Sequence, residues 1–489
     1  VSENPELGNT SLTMYLSQDL GTRDNVRLRV NHTESEIFGG PTGTSIGQVK
    51  ADYHRDPNFA SASLFVDDDV RKDYIGRGWE TTEWIQSDRD EVYLSWLHEF
   101  SSDLNMQLSV AHNEHTQDSF YEGFIYEADD EMTYLDARFH WAVSDDHLLT
   151  VGADNRAEEL RSQTNSTSPA YVSDSFDYDT QGFYVQDTWS ATENLEIAMA
   201  LRFDQVEANF VDASKPGTEI DESITSPRID MRYSHNDQWT SRFSFGRGYR
   251  APLSFFESDH GILDASVGFD IQIDELERSS SYNYALSYEA EALAVTGSLS
   301  HTNVENLAAL DENNAGVPVL TQSENDASVL VADVALTWNV RDDLALMATA
   351  ENIDYSDEFK SSYGVVPVEQ RIVLSTDWEF AGWDLYASAT WVGSRDLSEY
   401  GVPESPSFDA AGTEAKSQDA ESYWTVDMRV AKVLSEQWQV YAGVSNLFGY
   451  TQAEDMETPL FYEGGEYDVA HIYGPLRGRE AYAGVKYTF

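Results

Sequence analysis

The chain has 489 residues, no cysteine, and a formal charge of −57 from 30 Lys and Arg against 87 Asp and Glu. That acidity argues against nucleic acid as a partner, since binding it needs a positive surface, and the lack of Cys excludes disulfides, thiolate metal sites and c-type haem attachment. Although 41% of the residues are hydrophobic and 12% aromatic, the mean hydropathy is −0.48 and no run of eighteen apolar residues occurs. Membrane-spanning helices are thereby excluded, but not strands that alternate between lipid and lumen.

In chain order, strands of about ten residues recur in pairs joined by short polar turns and separated by long polar stretches, the plan of a transmembrane barrel. The predicted turns are Asp19-Leu-Gly-Thr-Arg-Asp24, His54-Arg-Asp-Pro-Asn58, Phe100-Ser-Ser-Asp103, Val143-Ser-Asp-Asp146, Ser190-Ala-Thr-Glu-Asn194 and Ser234-His-Asn-Asp-Gln238. Glu289-Ala-Glu-Ala292, Val340-Arg-Asp-Asp343, Phe380-Ala-Gly382 and Val433-Leu-Ser-Glu-Gln437 complete the set. Segments 67–89, 114–132, 157–175, 205–224, 250–278, 304–325, 394–421 and 449–480 read as the long loops. The last strand, Ala481 to Phe489, puts Ala483, Val485, Tyr487 and Phe489 on one face. Short turns belong in the periplasm and long loops outside, and ending the chain at the periplasmic side agrees with every turn.

The expected fold is therefore all-β: one large antiparallel barrel over 1–489, short turns on the periplasmic side and long loops outside. Ten hairpins and the final strand make 21 strands. Antiparallel closure needs an even number, so a further strand is expected from outside the chain, with Val1–Asn9 the remnant of the first extracellular loop and 10–489 strands two to twenty-two. Thr10–Gln18 would then lie beside a strand that precedes Val1. No signal peptide opens the chain, which implies that it was removed or that the numbering begins within a longer product.

Within the strands, Leu195, Ile197, Met199, Leu201 and Phe203 oppose Arg202 and Asp204, and Ile229, Met231 and Tyr233 oppose Arg228, Asp230 and Arg232. Trp239, Phe243, Phe245 and Tyr249 are expected opposite Arg242 and Arg250, and Trp424, Val426, Met428 and Val430 opposite Asp427 and Arg429. An Arg facing lipid near the midplane costs about 2–4 kcal/mol, so these charges are expected to line the lumen, paired across strands or touching whatever fills it. A barrel this wide is plugged or an open pore.

Phe245-Gly-Arg-Gly-Tyr-Arg-Ala-Pro252, Leu201-Arg-Phe-Asp204, Ser226-Pro-Arg228, Asn446-Leu-Phe448, Gly474-Pro-Leu-Arg-Gly-Arg479 and the terminal Phe489 occur in an order that resembles the barrel of TonB-dependent receptors. The resemblance implies an outer-membrane receptor for energised uptake of a scarce ligand such as a metal chelate, a cobalamin-like cofactor or a small peptide or glycan. It implies a plug-containing N-terminal polypeptide, the TonB complex acting through that plug, and a lipid and lipopolysaccharide environment; a surface lipoprotein is a further partner left open. The plug is not in this chain, so a separate or cleaved polypeptide is expected to carry it. Tyr487 and Phe489 resemble the barrel assembly signal. Loop residues Phe255, Phe256 and Asp259 are candidate ligand contacts.

A scaffold barrel enclosing another protein, such as a cytochrome conduit or lipoprotein complex, and an open diffusion porin are the competing readings. An enzymatic role has no support: no Ser/His/Asp arrangement stands out. His112-Asn-Glu-His115 has metal spacing only on a helix, since on a strand its histidines face opposite ways. Asp67-Asp-Asp69 and Glu127-Ala-Asp-Asp-Glu131 leave Ca²⁺ open at acidic loops without a calcium-loop pattern.

Overall fold

The computed structural model describes residues 6–39, 83–121, 124–164, 174–211, 219–253, 270–312, 318–362, 367–400, 419–452, 462–463, 466–467, 473–475 and 478–488. In chain order the strands are β1 (Glu6–Asp19), β2 (Asp24–Gly39), β3 (Glu83–Glu99), β4 (Leu104–Tyr121), β5 (Phe124–Ser144), β6 (His147–Thr164), β7 (Phe176–Thr192), β8 (Leu195–Phe210) and β9 (Glu219–Ser234). They continue with β10 (Trp239–Arg250), β11 (Asp270–Ile271), β12 (Glu277–Glu289), β13 (Leu293–Glu305), β14 (Ala308–Glu312), β15 (Pro318–Gln322), β16 (Ala327–Arg341) and β17 (Leu344–Tyr355). The helix α1 (Asp357–Ser362) precedes β18 (Gln370–Phe380), β19 (Trp383–Val392), β20 (Arg395–Asp396), a 3-10 turn (Leu397–Tyr400), β21 (Asp419–Ala420) and β22 (Tyr423–Val433). The last strands are β23 (Trp438–Ser445), β24 (Tyr462–Glu463), β25 (Glu466–Tyr467) and β26 (Glu480–Tyr487).

Nineteen strands belong to one sheet. Nine of the ten expected turns sit where the sequence puts them, from the β1–β2 turn to that between β22 and β23. The tenth, His54 to Asn58, lies outside the described residues, and since β2 pairs directly with β3 from Asp24 to Gly39, the two strands expected to flank that turn do not stand between them, leaving nineteen strands in the sheet among the described residues where twenty-one were expected. Turn chemistry accounts for several positions. Asn236 Oδ1 accepts the N–H groups of Gln238 at 2.9 Å and Trp239 at 3.0 Å, and Ser435 Oγ accepts those of Gln437 at 3.3 Å and Trp438 at 3.2 Å. At the β18–β19 turn Ala381 and Gly382 both take positive φ, 50° and 76°, the backbone of a tight hairpin.

The chain forms two compact units: Val1–Ile229 with Gly246–Ser279 and Val304–Asp326, and Asp230–Phe245 with Ser280–Asn303 and Ala327–Phe489. In the first, paired residues share a face, and the registers align Val26, Trp96, Leu108, Ala137, Ala153, Phe183 and Phe203 in one apolar row across β2 to β8. These side chains are exposed or half-buried; Phe183 is 62% exposed. An apolar face left open to this degree suits a lipid solvent. In the second unit Val334, Ala350, Ile372, Trp391 and Trp424 form a comparable row.

In the first unit, about ten residues beyond each described turn, the length a tilted strand needs to cross a bilayer core, the apolar face becomes polar while the ladder continues. β4 and β5, expected to end near 114 and begin near 132, stay paired out to Tyr121 and Phe124. Likewise β6 runs to Thr164, β8 to Phe210, and β9 starts at Glu219, so much of the expected loops 157–175 and 205–224 is strand. Asp, Asn and Glu disfavour strands intrinsically, but ladder hydrogen bonds and cross-strand polar pairs outweigh that preference in water.

Candidate functional site: the polar face and the loop layer over it

Opposite the apolar row, the first unit carries a charged ladder on β5 to β8. Arg202 donates to both oxygens of Asp154, at 2.6 and 2.8 Å, and through Nε to Asp204 at 2.9 Å. The Asp154 and Asp204 side chains are 1% and 0% exposed. One strand over, Tyr184 donates to Asp136 Oδ2 at 2.8 Å, and Arg138 Nε donates to Oδ1 at 2.6 Å. The guanidinium of Arg202 lies 5.7 Å from the centre of the Tyr184 ring, which joins the two pairs.

Two glycines make the ladder possible. Gly152 faces Tyr184 and Gly182 faces Asp204 in the registers. A Cβ on Gly152 would lie 2.3 Å from Tyr184 Cζ, and one on Gly182 would lie 2.2 Å from Arg202 Nη2. Without a Cβ at those positions the ring and the guanidinium lie flat on the neighbouring strand. Asp136, Arg138, Asp154 and Tyr184 were not singled out from the sequence. The alternation of Leu135, Ala137 and Phe139 around Asp136 and Arg138 is the same signal that marked Arg202 and Asp204.

Beyond this ladder, toward the long-loop end, the same face turns apolar. Tyr126, Phe176, Val206, Phe210 and Ile220 form a buried cluster with Leu253, Ile273, Leu276 and Leu320, which come from the long loops. β11 pairs in parallel with β15, and β14 with β15 antiparallel, making a small sheet in this layer. Gln322 ties it down, accepting the N–H groups of Asp274 and Glu275 at 3.2 and 3.1 Å and donating to the carbonyls of Glu275 and Asn306 at 2.9 and 3.0 Å. Tyr249, expected on the apolar face with Phe245, packs against this cluster instead. The glycines at 246 and 248 between them relax the backbone constraint on strict alternation.

Each sequence-expected residue has a definite place or lies outside the described residues. Arg250 pairs with Glu277, whose other oxygen accepts the Ala308 N–H at 2.8 Å, so this arginine anchors the loop layer. Arg228 is the nearest side chain to Gly246, with its Cγ 3.9 Å from where a Cβ there would lie. In the second unit Asp230 is half-buried and Arg232 exposed on β9, while Arg242 donates to Ser287 Oγ at 3.3 Å. Asp427 accepts the Asn446 N–H at 2.9 Å; Arg429 is 3.7 Å from Asp384 and lies over Tyr441. Tyr487 packs on Trp438 with ring centres 4.7 Å apart. Phe255, Phe256, Asp259, Phe489 and Asp67 to Asp69 lie outside the described residues. His112 and His115 diverge as expected, pairing in register with Thr133 and Asp130, and Glu127 to Glu131 lie on β5 rather than in a loop.

The second unit has its own loop cluster. Leu397, Tyr400, Ala420 and Tyr473 are buried together. Burial, with a hydrogen bond to Glu369, pushes the Tyr400 phenol well above its usual range. Lys360 lies 3.5 Å from Glu369 and pairs with Glu399, and buried Arg395 donates to the carbonyls of Tyr473 at 2.8 Å and Pro367 at 3.2 Å.

Comparison with known proteins gives this architecture a family. No curated protein matches the sequence. Among solved structures, the chain is similar to the siderophore receptor PiuA from Acinetobacter baumannii, with a TM-score of 0.65 at 11% identity over 99% of this chain and 75% of that one. It is similar to the ferric citrate transporter FecA in its unliganded form, with a TM-score of 0.69 at 13% identity over 99% and 71%. It also resembles the ferric-catecholate import receptor Fiu from E. coli K12, with a TM-score of 0.66 at 11% identity over 100% and 75%. Residues 25–447 match the model of the TonB dependent receptor-like β-barrel, and with most of its length inside that match the chain belongs to the TonB-dependent receptor β-barrel family of the bacterial outer membrane.

Proposed function

We propose that this barrel serves energised uptake of a scarce ligand, a metal chelate, a cobalamin-like cofactor or a small peptide or glycan, working with a plug and a first strand supplied by polypeptide outside residues 1–489. TonB-dependent receptors work with TonB and a plug, and neighbours of similar fold are a siderophore receptor, a ferric citrate transporter and a copper transporter. The observation that carries the reading beyond a passive pore is the loop layer of Leu253, Ile273, Leu276 and Leu320 packed on the apolar end of the wall's inner face, against Phe176, Val206 and Phe210. Loops folded onto that face favour capture over free diffusion. With a net charge of −57, a neutral or cationic ligand is favoured over a strongly anionic one. Phe255, Phe256 and Asp259 are proposed contacts for it, and Arg202, Arg228, Arg232, Arg242 and Arg429 with their acidic neighbours are proposed to meet the plug.

The test is uptake by cells carrying the full locus, with and without a functional TonB, against a panel of labelled ferric chelates, copper, cobalamin and oligopeptides. Saturable uptake of one class that collapses without TonB or the proton gradient is the expected result. TonB-independent uptake together with a large steady conductance in planar bilayers would establish the porin reading instead.

A further inference from the structure

On β2 and β3 the register pairs His32 with Asp90 and Glu34 with Asp88, which sets four ligand-type side chains in a square on one face. That face is the apolar one: the neighbouring pair toward the turn is Val30 with Val92, followed by Leu28 with Leu94. The square is the first polar step beyond the lipid band, roughly 25–30 Å along β2 from the turn at about 3.3 Å per residue. With the strand tilted by about 40°, that length covers roughly 19–23 Å of depth, close to the ~25 Å height of the apolar band, which puts the square at its edge, the headgroup level.

The geometry is that of a chelate. His32 Nδ1 is 2.9 Å from Asp90 Oδ1, a contact that fixes the proton on Nδ1 and turns Nε2 the other way. Nε2 lies 3.4 Å from Glu34 Oε1, close to the ~3.4 Å that separates ligand atoms around a tetrahedral ion with bonds of about 2.1 Å. One ligand atom from each of His32, Glu34 and Asp88 falls within 4.8 Å of the others. A carboxylate holding the far nitrogen of a ligating histidine is the outer-sphere arrangement that metal sites use. Asp88 also lines an open depression of about 520 Å³ with Thr116, Asp129 and Arg161, on its side away from β2.

We propose that His32, Glu34 and Asp88 bind one divalent transition-metal ion, with Asp90 as the positioning residue for His32, on the lipid-facing surface of the wall at headgroup level. An imidazole with two carboxylates selects zinc-like ions over calcium. An ion held there lies on the face opposite Arg202 and Asp204, so it is not cargo on its way through the barrel. It neutralises part of a cross-strand acidic patch that would otherwise face the anionic headgroups of the membrane.

The experiment is calorimetric titration of the full chain in neutral detergent micelles with Zn²⁺, repeated with Ca²⁺ in excess, and with Co²⁺ as a spectroscopic probe. One saturable site that survives Ca²⁺ is expected, with affinity falling at least tenfold in His32→Ala, Glu34→Gln and Asp88→Asn. Asp90→Asn is expected to cost about tenfold while keeping the stoichiometry. The Co²⁺ visible absorption should vanish with His32→Ala. Absence of a saturable Zn²⁺ site, displacement by equimolar Ca²⁺, or unchanged Zn²⁺ affinity and Co²⁺ spectrum in His32→Ala overturns the proposal; circular dichroism of each variant shows that it is folded.

Discussion

Arg202 is the residue on which the polar ladder turns, because it is the shared cation of Asp154 and Asp204, both almost fully covered. Removing one partner of a buried ion pair costs about 3–5 kcal/mol, since the other charge is left uncompensated. Arg202→Ala is therefore expected to lower the urea midpoint of the folded barrel by a corresponding amount, and Arg202→Met with Asp154→Asn and Asp204→Asn to restore much of it. A midpoint for Arg202→Ala equal to wild type would show that the network is not structural. Asp130 and Glu158, on the polar continuation of β5 and β6 outside the membrane band, give a pH signature. Burial raises both carboxyls, with Arg156 acting in the opposite direction. A carboxyl whose folded pKa is raised adds stability below its ordinary range and loses it as pH rises through the raised value. Amide exchange in 128–132 and 156–160, corrected for intrinsic rates, is thus expected to show greater protection at pH 5 than at pH 7.5. Asp130→Asn should flatten that difference.

At the scale of elements, the loop layer depends on two fully buried side chains, Ile273 and Leu276, each 0% exposed. Truncating either to Ala is expected to cost about 2–5 kcal/mol of local packing, releasing 270–276 and 318–322 to proteolysis while the wall keeps its heat resistance on gels. Simultaneous loss of wall and layer would show that they fold as one cooperative element. This layer was not read from the sequence, because Phe269-Asp-Ile-Gln-Ile273 alternates and Val317-Pro-Val-Leu320 is apolar, but each run is too short for period alone to separate a strand from a loop. The turns were legible, since all but Glu289-Ala-Glu-Ala292 interrupt the alternation with Asp, Asn, Ser or Gly. The extent of β4 and β5 was not: Glu114, Asp118, Glu127 and Glu131 read as loop by composition, and only their pairing makes them strand.

For the whole molecule, the dominant long-range term is self-repulsion at a net charge of −57. Salt shortens the Debye length from ~30 Å at 0.01 M to ~10 Å at 0.1 M, so the unfolding midpoint in neutral detergent is expected to rise between 10 and 100 mM NaCl in that range. A midpoint that falls with salt would mean that attractive pairs such as Arg202 with Asp154 outweigh the repulsion. By itself the sequence determined the class of solvent, the alternating strands and nine turns that the structure shows in place, because these follow from local period and turn chemistry, while the family came from the resemblance of its motifs, such as Phe245 to Pro252 and Asn446 to Phe448. Only the tertiary structure decided which strands continue past the membrane, that Tyr249 joins the loop cluster, that Arg202 reaches Asp154, and that His32 and Glu34 meet Asp88 and Asp90. The reason is physical. Alternation assigns a residue to a face, whereas its partner across the ladder is set by register, and register depends on contacts between residues far apart in the chain.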